Sequence, residues 1–541
     1  MPTTPGDVDR ALSRVARGGI LGGVGAMVSG LLSFVVVIAV TRGFPAETAG
    51  SLFAASSVFL IVVAIVELGV DTGLLHWLPR YEVARRWDAV NACLRVALIP
   101  TAVVSALGGL LLVLVGDVLT SLTASGNSSG TTAAMLRVMA VFVPVAAMHD
   151  LVLATTRAYR TMRPTVLVER IARSLLQVAA VVVAYAAGAS DRTLALAWVA
   201  PYLPALLASI WWARRLHARH AQHVLGAVDA SATQGAAKAM TAGEPVPPGE
   251  LSLRAIARGF WSYTLPRAGA RICQVALQRA DIVLVAIMRS PREAAIYTAA
   301  TRFLVLGQLA VQAIQQVMQP HLSRALARGD RAGAGRLFRV STVWIVAATW
   351  PPYLLMVGYS HLALKVFGSG YSAGEAVLVL LALTMLLSTA AGPVDVVLTM
   401  AGHSSLSLGN SVVALAADLG LDVLLIPRLG IKGAAIGWAV AIVLRNVLPL
   451  VQVHRRVGLT AASPGLWWAA ASAAACFGVL PLLLHLTVGE TLAVVLVPVP
   501  IAAYCWLLWR RRDATDLVIL GQALRRRPAA GSALSEAASP G

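Results

Sequence analysis

The chain has 541 residues, of which 58% are hydrophobic and 13% are charged, and its formal net charge is +19 at pH 7. Apolar stretches long enough to cross a bilayer recur from end to end, which excludes a soluble globular protein. The positive charge is dispersed over alternating loops instead of clustered on one soluble face, which argues against nucleic-acid binding. Basic residues beside membrane spans indicate contact with anionic lipids instead.

Hydropathy predicts fourteen membrane spans, because a span needs about 20 apolar residues. In chain order they lie at 20–40, 49–69, 90–115, 133–155, 165–188, 193–213, 259–288, 294–319, 340–358, 375–401, 405–426, 431–452, 466–486 and 491–509. The apolar runs are continuous and lack the two-residue alternation of barrel strands, so the spans are helices. The predicted fold class is an all-α polytopic membrane protein.

Lys and Arg residues concentrate in every second loop, as expected for helices that alternate in direction through a membrane. The loop holding Arg157, Arg160 and Arg163 is one example of a basic loop, and the segment after Arg510 is another. With this distribution, the positive-inside rule predicts that both termini are cytoplasmic.

The predicted spans fall into two six-helix lobes, 1–213 and 259–456, separated by a cytoplasmic linker at 214–258. Two peripheral helices at 457–509 and a basic cytoplasmic tail at 510–541 follow. The segment AGSLFAA at 49–55 recurs loosely as AIYTAA at 295–300. Two parallel lobes with a substrate site between them are a common plan for transporters.

Polar side chains form a stripe on the helix predicted at 259–288. Arg267, Arg271, Gln274 and Gln278 recur at helical spacing, so they share one face. A cation at mid-membrane costs about 2.5–3.5 kcal/mol on insertion scales, so it normally faces a wet cavity or a partner. Guanidinium groups donate paired hydrogen bonds to a diphosphate, and amides suit sugar hydroxyls.

Three further polar residues extend the predicted substrate-binding set. Arg302 and Gln312 lie on the next helix along the chain, and Arg173 lies on the helix predicted at 165–188. For the glutamines, hydrogen bonding between neighbouring helices is the alternative interpretation. Like charges one turn apart, as at Arg267 and Arg271, repel each other and do not suit such a packing role.

The chain contains no phosphate-binding loop of the GxxxxGK[ST] type, so we expect coupling to an ion gradient or to the membrane potential. The predicted ion-coupling residues are Asp418, Asp422 and Glu67. For two carboxylates one turn apart at low dielectric, the sequence leaves three alternatives open: they share a proton, they bind a cation, or they form a salt bridge with Arg445. No catalytic constellation, cofactor motif or metal-ligand spacing is predicted.

Three segments carry a resemblance to a known family: RGG at 17–19, LGVDTGLL at 68–75 and LIPRLGIKGAA at 425–435. They resemble the polysaccharide flippases of the O-antigen type. These belong to the multidrug/oligosaccharidyl-lipid/polysaccharide exporter superfamily, together with lipid II flippases and multidrug/toxin extrusion transporters. Asp418 and Asp422 depart from the family's pattern, in which these positions are commonly asparagines.

The resemblance implies a substrate and a location. The substrate is an oligosaccharide on a polyprenyl diphosphate, moved from the inner to the outer leaflet of the bacterial plasma (inner) membrane by alternating access. The expected role is cell-surface polysaccharide biosynthesis, with a polysaccharide polymerase or glycosyltransferases as partners. No cofactor is expected.

Three other functions are alternatives for a chain with this many predicted spans. A membrane glycosyltransferase needs a large extracytoplasmic loop with catalytic residues, and the longest outer loops, 116–132 and 358–374, hold none, so the chain is not expected to be an enzyme. An ion-coupled drug/cation antiporter of the same superfamily would favour a cavity dominated by carboxylates. A non-transporting scaffold for cell-wall assembly is the third alternative.

Overall fold

A computed structural model of the protein describes residues 5–84, 86–121, 127–159, 161–231, 252–481, 483 and 496–511. Within these residues the regular structure is entirely helical, with no strand. The helices are α1 (Pro5–Gly43), α2 (Ala46–Val66), α3 (Val70–Val83), α4 (Trp87–Ser121), α5 (Asn127–Ala140), α6 (Val143–Ala158), α7 (Ser174–Ala186), α8 (Asp191–Val199), α9 (Tyr202–Ser231), α10 (Leu253–Met288), α11 (Pro291–Arg302), α12 (Leu304–Ala327), α13 (Arg331–Gly358), α14 (Ser360–Lys365), α15 (Glu375–Ala390), α16 (Val394–Met400), α17 (Ser404–Leu429), α18 (Ile431–Gln452), α19 (Pro464–Ala473) and α20 (Pro498–Arg510). A π-helical segment, Thr165–Arg173, precedes α7.

The prediction of an all-α polytopic membrane protein is confirmed. By length and composition, the described residues include eight helices able to cross a membrane, or nine when α5 and α6, bent by 47°, count as one span. The described parts of the remaining predicted spans are also helical, for example 259–288 in α10 and 405–426 in α17. We refer to α1–α9 as the N-lobe and to α10–α18 as the C-lobe.

Several predicted spans are interrupted, or are followed by a further helix. The span predicted at 49–69 ends at Val66 as α2, and a helix that hydropathy did not predict, α3, begins at Val70. At this break Leu68 and Gly69 both have left-handed backbone conformations, with φ of 52° and 67°. A left-handed residue cannot continue a right-handed helix. Gly392, with φ of 74°, likewise separates α15 from α16 within the span predicted at 375–401.

The connections predicted to be outer meet at one end of the bundle. Arg42, in the last turn of α1, donates to the carbonyl oxygens of Lys365 and Val366, each at 2.8 Å, and so caps the end of α14. Arg289, after α10, donates to the carbonyl oxygen of Pro427 at 3.4 Å. The Arg42 contacts join the two lobes and the Arg289 contact lies within the C-lobe, and we call this end the outer end.

One apolar core joins the two lobes toward the outer end. Phe34 of the N-lobe packs against Phe303 and Phe367 of the C-lobe, with ring centroids 5.2 and 5.4 Å apart. The fully buried Leu52 and the nearly fully buried Tyr297 belong to the same core. The starts of α2 and α11, where the repeated segments lie, therefore pack on each other, which holds the outer end closed.

Toward the inner end, the lobes meet through α3 and α10. Gly73 of α3 lies against Thr264 and Phe260 of α10, and Gly69 lies against the backbone of Ala268. Phe260 is buried in a second core with Val70 and Leu74. This contact aligns the break between α2 and α3 with the middle of α10.

The two C-terminal helices pack on the outside of the C-lobe. Leu466 and Ala469 of α19 are buried against Val343 of α13, and the Tyr504 hydroxyl of α20 donates to the Ala347 carbonyl oxygen at 3.0 Å. Residues 232–251 of the predicted linker at 214–258 lie outside the described residues, as do nearly all of the tail at 510–541 and part of 457–509.

Gly50 offers a test of the contact between lobes. A Cβ atom added there would fall well inside van der Waals distance of the Pro291 carbonyl oxygen. We expect Gly50→Ala to lower the free energy of unfolding by about 1–3 kcal/mol, because backbone must move to make room. Thermal unfolding in detergent measures this, with Gly420→Ala on α17, where an added Cβ has open space, as the control. Equal midpoints for the two variants would contradict the prediction.

Candidate functional site

The polar stripe predicted from the sequence lies on an exposed face of α10. The helix begins after Ser252, whose hydroxyl accepts a hydrogen bond from the Ala255 amide at 3.3 Å and so caps it. Arg267, Arg271, Gln274 and Gln278 are all exposed, whereas Ala268 and Leu277, on the two flanks of the stripe, are buried. The stripe thus points away from the packed core, and charge at this depth requires water or a ligand.

Arg267 belongs to a stack that joins the lobes. Its guanidinium lies 3.7 Å from the centre of the Tyr263 ring and donates to the Tyr263 carbonyl oxygen at 2.8 Å. The other face of the stack is His76 of α3, whose ring centre is 3.8 Å from that of Tyr263 at an angle of 19°. Arg80 in turn contacts His76. This stack covers the inner end of the stripe.

Arg302 and Arg279 line a small pocket next to Gln278, the last residue of the stripe. The pocket, of about 120 Å³, is lined by polar groups that include Gln278, Arg279, Asp281, Arg302 and Gln308. Arg302 is the last residue of α11. Its Nε atom is buried and has no hydrogen-bond partner in the part of the chain that the structure describes.

The charged neighbour that acts most on Arg302 is Arg279, which has the same sign. Two guanidinium groups that share a pocket repel each other unless an anion lies between them. The pocket holds these two cationic groups and one carboxylate, that of Asp281, so an anionic group of a ligand would balance the second cation. Gln312, one turn beyond Gln308 on α12, is exposed, so the amides of α12 extend from this pocket.

Three carboxylates form a cluster in the interior of the C-lobe. Asp281 of α10 and Asp418 and Asp422 of α17 are all buried, and their carboxylate oxygens lie within 4.8 Å of one another. The Tyr297 hydroxyl donates to Asp281 at 2.6 Å. Within the described residues, no carboxylate oxygen of Asp418 or Asp422 has a hydrogen-bond partner.

The contacts of Asp418 and Asp422 bear on the three alternatives left open by the sequence, namely a shared proton, a bound cation or a salt bridge with Arg445. No ion pair joins either residue to Arg445 in the described chain, so the pairing alternative is not seen. Three ionised carboxylates at this spacing and burial would repel strongly. The remaining alternatives are a shared proton or a bound cation.

The N-lobe holds a second charged cluster, around Glu169 of the π-helical segment. Arg173 donates to both carboxylate oxygens of Glu169, at 2.8 and 2.7 Å, and lies 4.6 Å from the centre of the Tyr202 ring. The fully buried His149 lies 2.7 Å from Glu169 through Nε2. Arg173 is therefore engaged within its own lobe in this conformation, and its predicted role in substrate binding stays a prediction.

Glu67 lies at the carboxyl end of α2, beside the break. The charged groups that act on it are Asp150 of α6, Arg271 of α10 and Asp71 of α3. The predicted ion-coupling residue Glu67 is thus a neighbour of the predicted substrate-binding residue Arg271, although the two lie in different lobes.

From the sequence, Arg279 and Asp281 are expected to have a structural role, paired with each other or with other segments of the chain, and Glu169 is expected to be a local partner of Arg173. The structure places Asp281 with Asp418 and Asp422, and Arg279 with Arg302. The sequence signal that could have placed Asp281 with Asp418 and Asp422 is its position as an acidic residue in the middle of another predicted span. No local pattern links the lobes through Arg271.

The sequence matches no protein-family model and no curated protein. Solved structures do match. The structure of a lipid II flippase MurJ in an inward closed conformation matches over 92% of this chain and 99% of that chain, with a TM-score of 0.68 and 11% sequence identity. An inward-facing multidrug resistance MATE family transporter of the MOP superfamily matches over 80% of this chain and 94% of that chain, with a TM-score of 0.60 and 13% identity.

A MOP superfamily transporter from Pyrococcus furiosus, described by the reverse polarity of its binding pocket, matches less closely. Its TM-score is 0.51, with 16% identity over 82% of this chain and 95% of that chain. The lipid II flippase and the MATE transporter each align along nearly their whole length, so the likeness covers the complete bundle. The chain therefore has the fold shared by lipid II flippases and MATE transporters of the MOP superfamily.

Proposed function

We propose that this protein is a flippase that moves a polyprenyl-diphosphate-linked oligosaccharide from the inner to the outer leaflet of the bacterial plasma membrane. The observation that carries the proposal is the exposed arginine and glutamine stripe of α10, which continues into the pocket of Arg279 and Arg302. This polar surface lies within a bundle that has the fold of a lipid II flippase.

The chemistry of the stripe fits such a substrate. A diphosphate and several sugars cannot cross hydrocarbon without polar partners, whereas the prenyl tail is stable in lipid. Arg267 and Arg271 supply guanidinium groups for the diphosphate, and Gln274, Gln278 and Gln312 supply amides for hydroxyl groups. Arg302 supplies a further donor that nothing in the described chain uses.

The conformation also fits alternating access. The outer end is closed by the core around Phe34 and Phe303, and the inner end of the stripe is covered by the stack of His76, Tyr263 and Arg267. Rocking the lobes apart at one end and then at the other would expose the stripe to each leaflet in turn. Both termini are proposed to be cytoplasmic, with anionic lipids at the basic loops and a polymerase or glycosyltransferases as partners.

The stripe is tested first. In proteoliposomes, we expect Arg267→Ala plus Arg271→Ala to slow translocation of a polyprenyl-diphosphate oligosaccharide at least about tenfold, because each lost charge-assisted hydrogen bond costs about 1.5–3 kcal/mol. Arg328→Ala plus Arg331→Ala is the matched control, since both residues are exposed and lie outside the stripe. If the stripe variant translocates the substrate at the same rate as the control, the stripe is not part of the substrate-binding site.

The pocket is tested by binding. We expect Arg302→Ala to weaken binding of a polyprenyl diphosphate about tenfold, equivalent to about 1.4 kcal/mol, and Arg302→Lys to restore it only in part because a lysine lacks the planar fork. Isothermal titration in detergent measures the affinities. Arg428→Ala, which removes an exposed arginine bound only to its own helix, is the control. Unchanged affinity in Arg302→Ala would place the diphosphate elsewhere.

The carboxylate cluster is tested through stability. A cation that binds among Asp281, Asp418 and Asp422 would stabilise the folded protein by about 2.7 kcal/mol at a hundredfold excess over its dissociation constant. We expect Na⁺ to raise the midpoint of thermal unfolding relative to choline at equal ionic strength, and Asp418→Asn to abolish the rise. Asp191→Asn, at the outer end, serves as the control. A rise that is equal in Asp418→Asn would show that the cation binds elsewhere.

The same cluster supports one second candidate, an ion-coupled cation antiporter, because buried carboxylates suit cationic cargo as well as coupling ions. The discriminating experiment is export of a cationic dye from proteoliposomes under an imposed Na⁺ or proton gradient. Dye export without movement of the lipid-linked oligosaccharide would favour the antiporter. Oligosaccharide movement without dye export would favour the flippase.

A further inference from the structure

Tyr263 of α10 lies between two side chains that come from different lobes. The Arg267 guanidinium is 3.7 Å from the centre of the Tyr263 ring, and the centre of the His76 ring is 3.8 Å from it at an interplanar angle of 19°. Two groups this close to one ring centre are at van der Waals distance and cannot share a face of the ring. Arg267 therefore covers one face and His76 the other, so Tyr263 joins a residue of the stripe to the opposite lobe.

The contacts of Arg267 orient its guanidinium and leave most of its donors available. Its Nη1 atom donates to the Tyr263 carbonyl oxygen at 2.8 Å, and within the described residues its other nitrogens have no hydrogen-bond partner. An arginine carries five N–H donors, so the side chain can still bind an anion through the rest. A guanidinium that is already oriented loses less conformational entropy when a ligand binds, which favours binding.

His76 is supported by its neighbours on α3. Arg80, one turn further along the helix, contacts the His76 ring and lies 5.7 Å from the centre of the Trp77 ring. Trp77 in turn stacks on Tyr81, with ring centroids 5.7 Å apart at an angle of 19°. His76 is thus part of a packed aromatic surface of the N-lobe, which restricts where its ring can lie against Tyr263.

The backbones of α3 and α10 meet beside this stack. Gly73 lies against the side chain of Thr264, which is fully buried, and an added Cβ at Gly69 would be 2.9 Å from the Ala268 amide nitrogen. Because the two helices belong to different lobes, any opening of the inner end separates His76 from Tyr263 and uncovers Thr264. Tyr263 then lacks support on one face.

We propose that Tyr263 is a positioning residue that links binding of the diphosphate on Arg267 to closure of the inner end. While the inner end is closed, His76 holds the Tyr263 ring, and the ring orients Arg267 for the ligand. When the inner end opens, the ring loses His76 and Arg267 is less well ordered. This linkage rests on the proposed function, because it requires an anionic substrate on the stripe.

The linkage gives the transport cycle a direction at its loading step. A ligand that binds one conformation more tightly shifts the protein toward that conformation. The diphosphate therefore favours the closed inner end, so a substrate that enters from the inner leaflet promotes closure behind itself. Reciprocity requires that weakening the stack from the N-lobe also lowers the affinity for the diphosphate, although His76 is not part of the stripe.

The first readout is affinity, measured by isothermal titration of a polyprenyl diphosphate in detergent. We expect His76→Ala to weaken binding about two- to tenfold, the range that corresponds to the loss of one aromatic pair, and Tyr263→Ala to weaken it at least as much. His76→Phe and Tyr263→Phe keep a stacking ring and should bind as wild type does. Leu75→Ala, at the exposed position next to His76, is the control and should also bind as wild type does. Equal affinities of wild type and His76→Ala would overturn the linkage.

The second readout is conformation, measured with a buried thiol. In a protein whose four cysteines are replaced by alanine, Thr264→Cys introduces a thiol that is covered while α3 and α10 are in contact. We expect a saturating polyprenyl diphosphate to slow its reaction with N-ethylmaleimide about two- to tenfold. His76→Ala should remove this protection, and His76→Phe should restore it.

Two failures are distinguishable. A polyprenyl diphosphate that binds but leaves the rate of thiol labelling unchanged would overturn the linkage and leave the proposed function standing. Failure of wild type to bind the polyprenyl diphosphate at all would instead reject the proposed function, and the linkage with it.

Discussion

The cost of an uncompensated charge at low dielectric governs this structure more than any other constraint. A charge inside a membrane protein must be paired, hydrated or neutralised, because its desolvation otherwise costs several kcal/mol. The chain meets this constraint in different ways at different arginines. Arg173 forms a bidentate salt bridge with Glu169, and Arg267 stacks on Tyr263. Arg302 has a buried donor without a partner in the described chain. Charges that the protein leaves uncompensated are the ones available to a ligand.

The helix breaks determine where those charges meet. The left-handed residues Leu68 and Gly69 end α2, bring α3 against α10 and so place Glu67 beside Arg271. Arg302, the last residue of α11, lines the pocket together with Arg279 and Asp281. The packing of the helices thus determines which charged groups lie near one another.

Much of this arrangement follows from sequence, and the rest depends on tertiary contacts. The helical class follows from the length of the apolar runs, and the stripe of α10 follows from the spacing of Arg267, Arg271, Gln274 and Gln278. The break in the second span is signalled by Gly69 and Gly73. The nearness of Arg279 to Arg302, and of Asp281 to the two aspartates of α17, depends on tertiary contacts that no local pattern identifies.

The aromatic core at the outer end has a thermal consequence. Any conformation that separates the lobes there exposes Phe34, Phe303 and Phe367 to an aqueous cavity. Exposing apolar surface to water raises the heat capacity, so the free energy of this opening depends on temperature along a curve with a maximum. Cooling weakens the apolar contact, whereas it leaves the hydrogen bonds of Arg42 to the end of α14 in place. The burial of aromatic rings, rather than the pairing of charges, therefore sets the temperature at which the closed outer end is most stable.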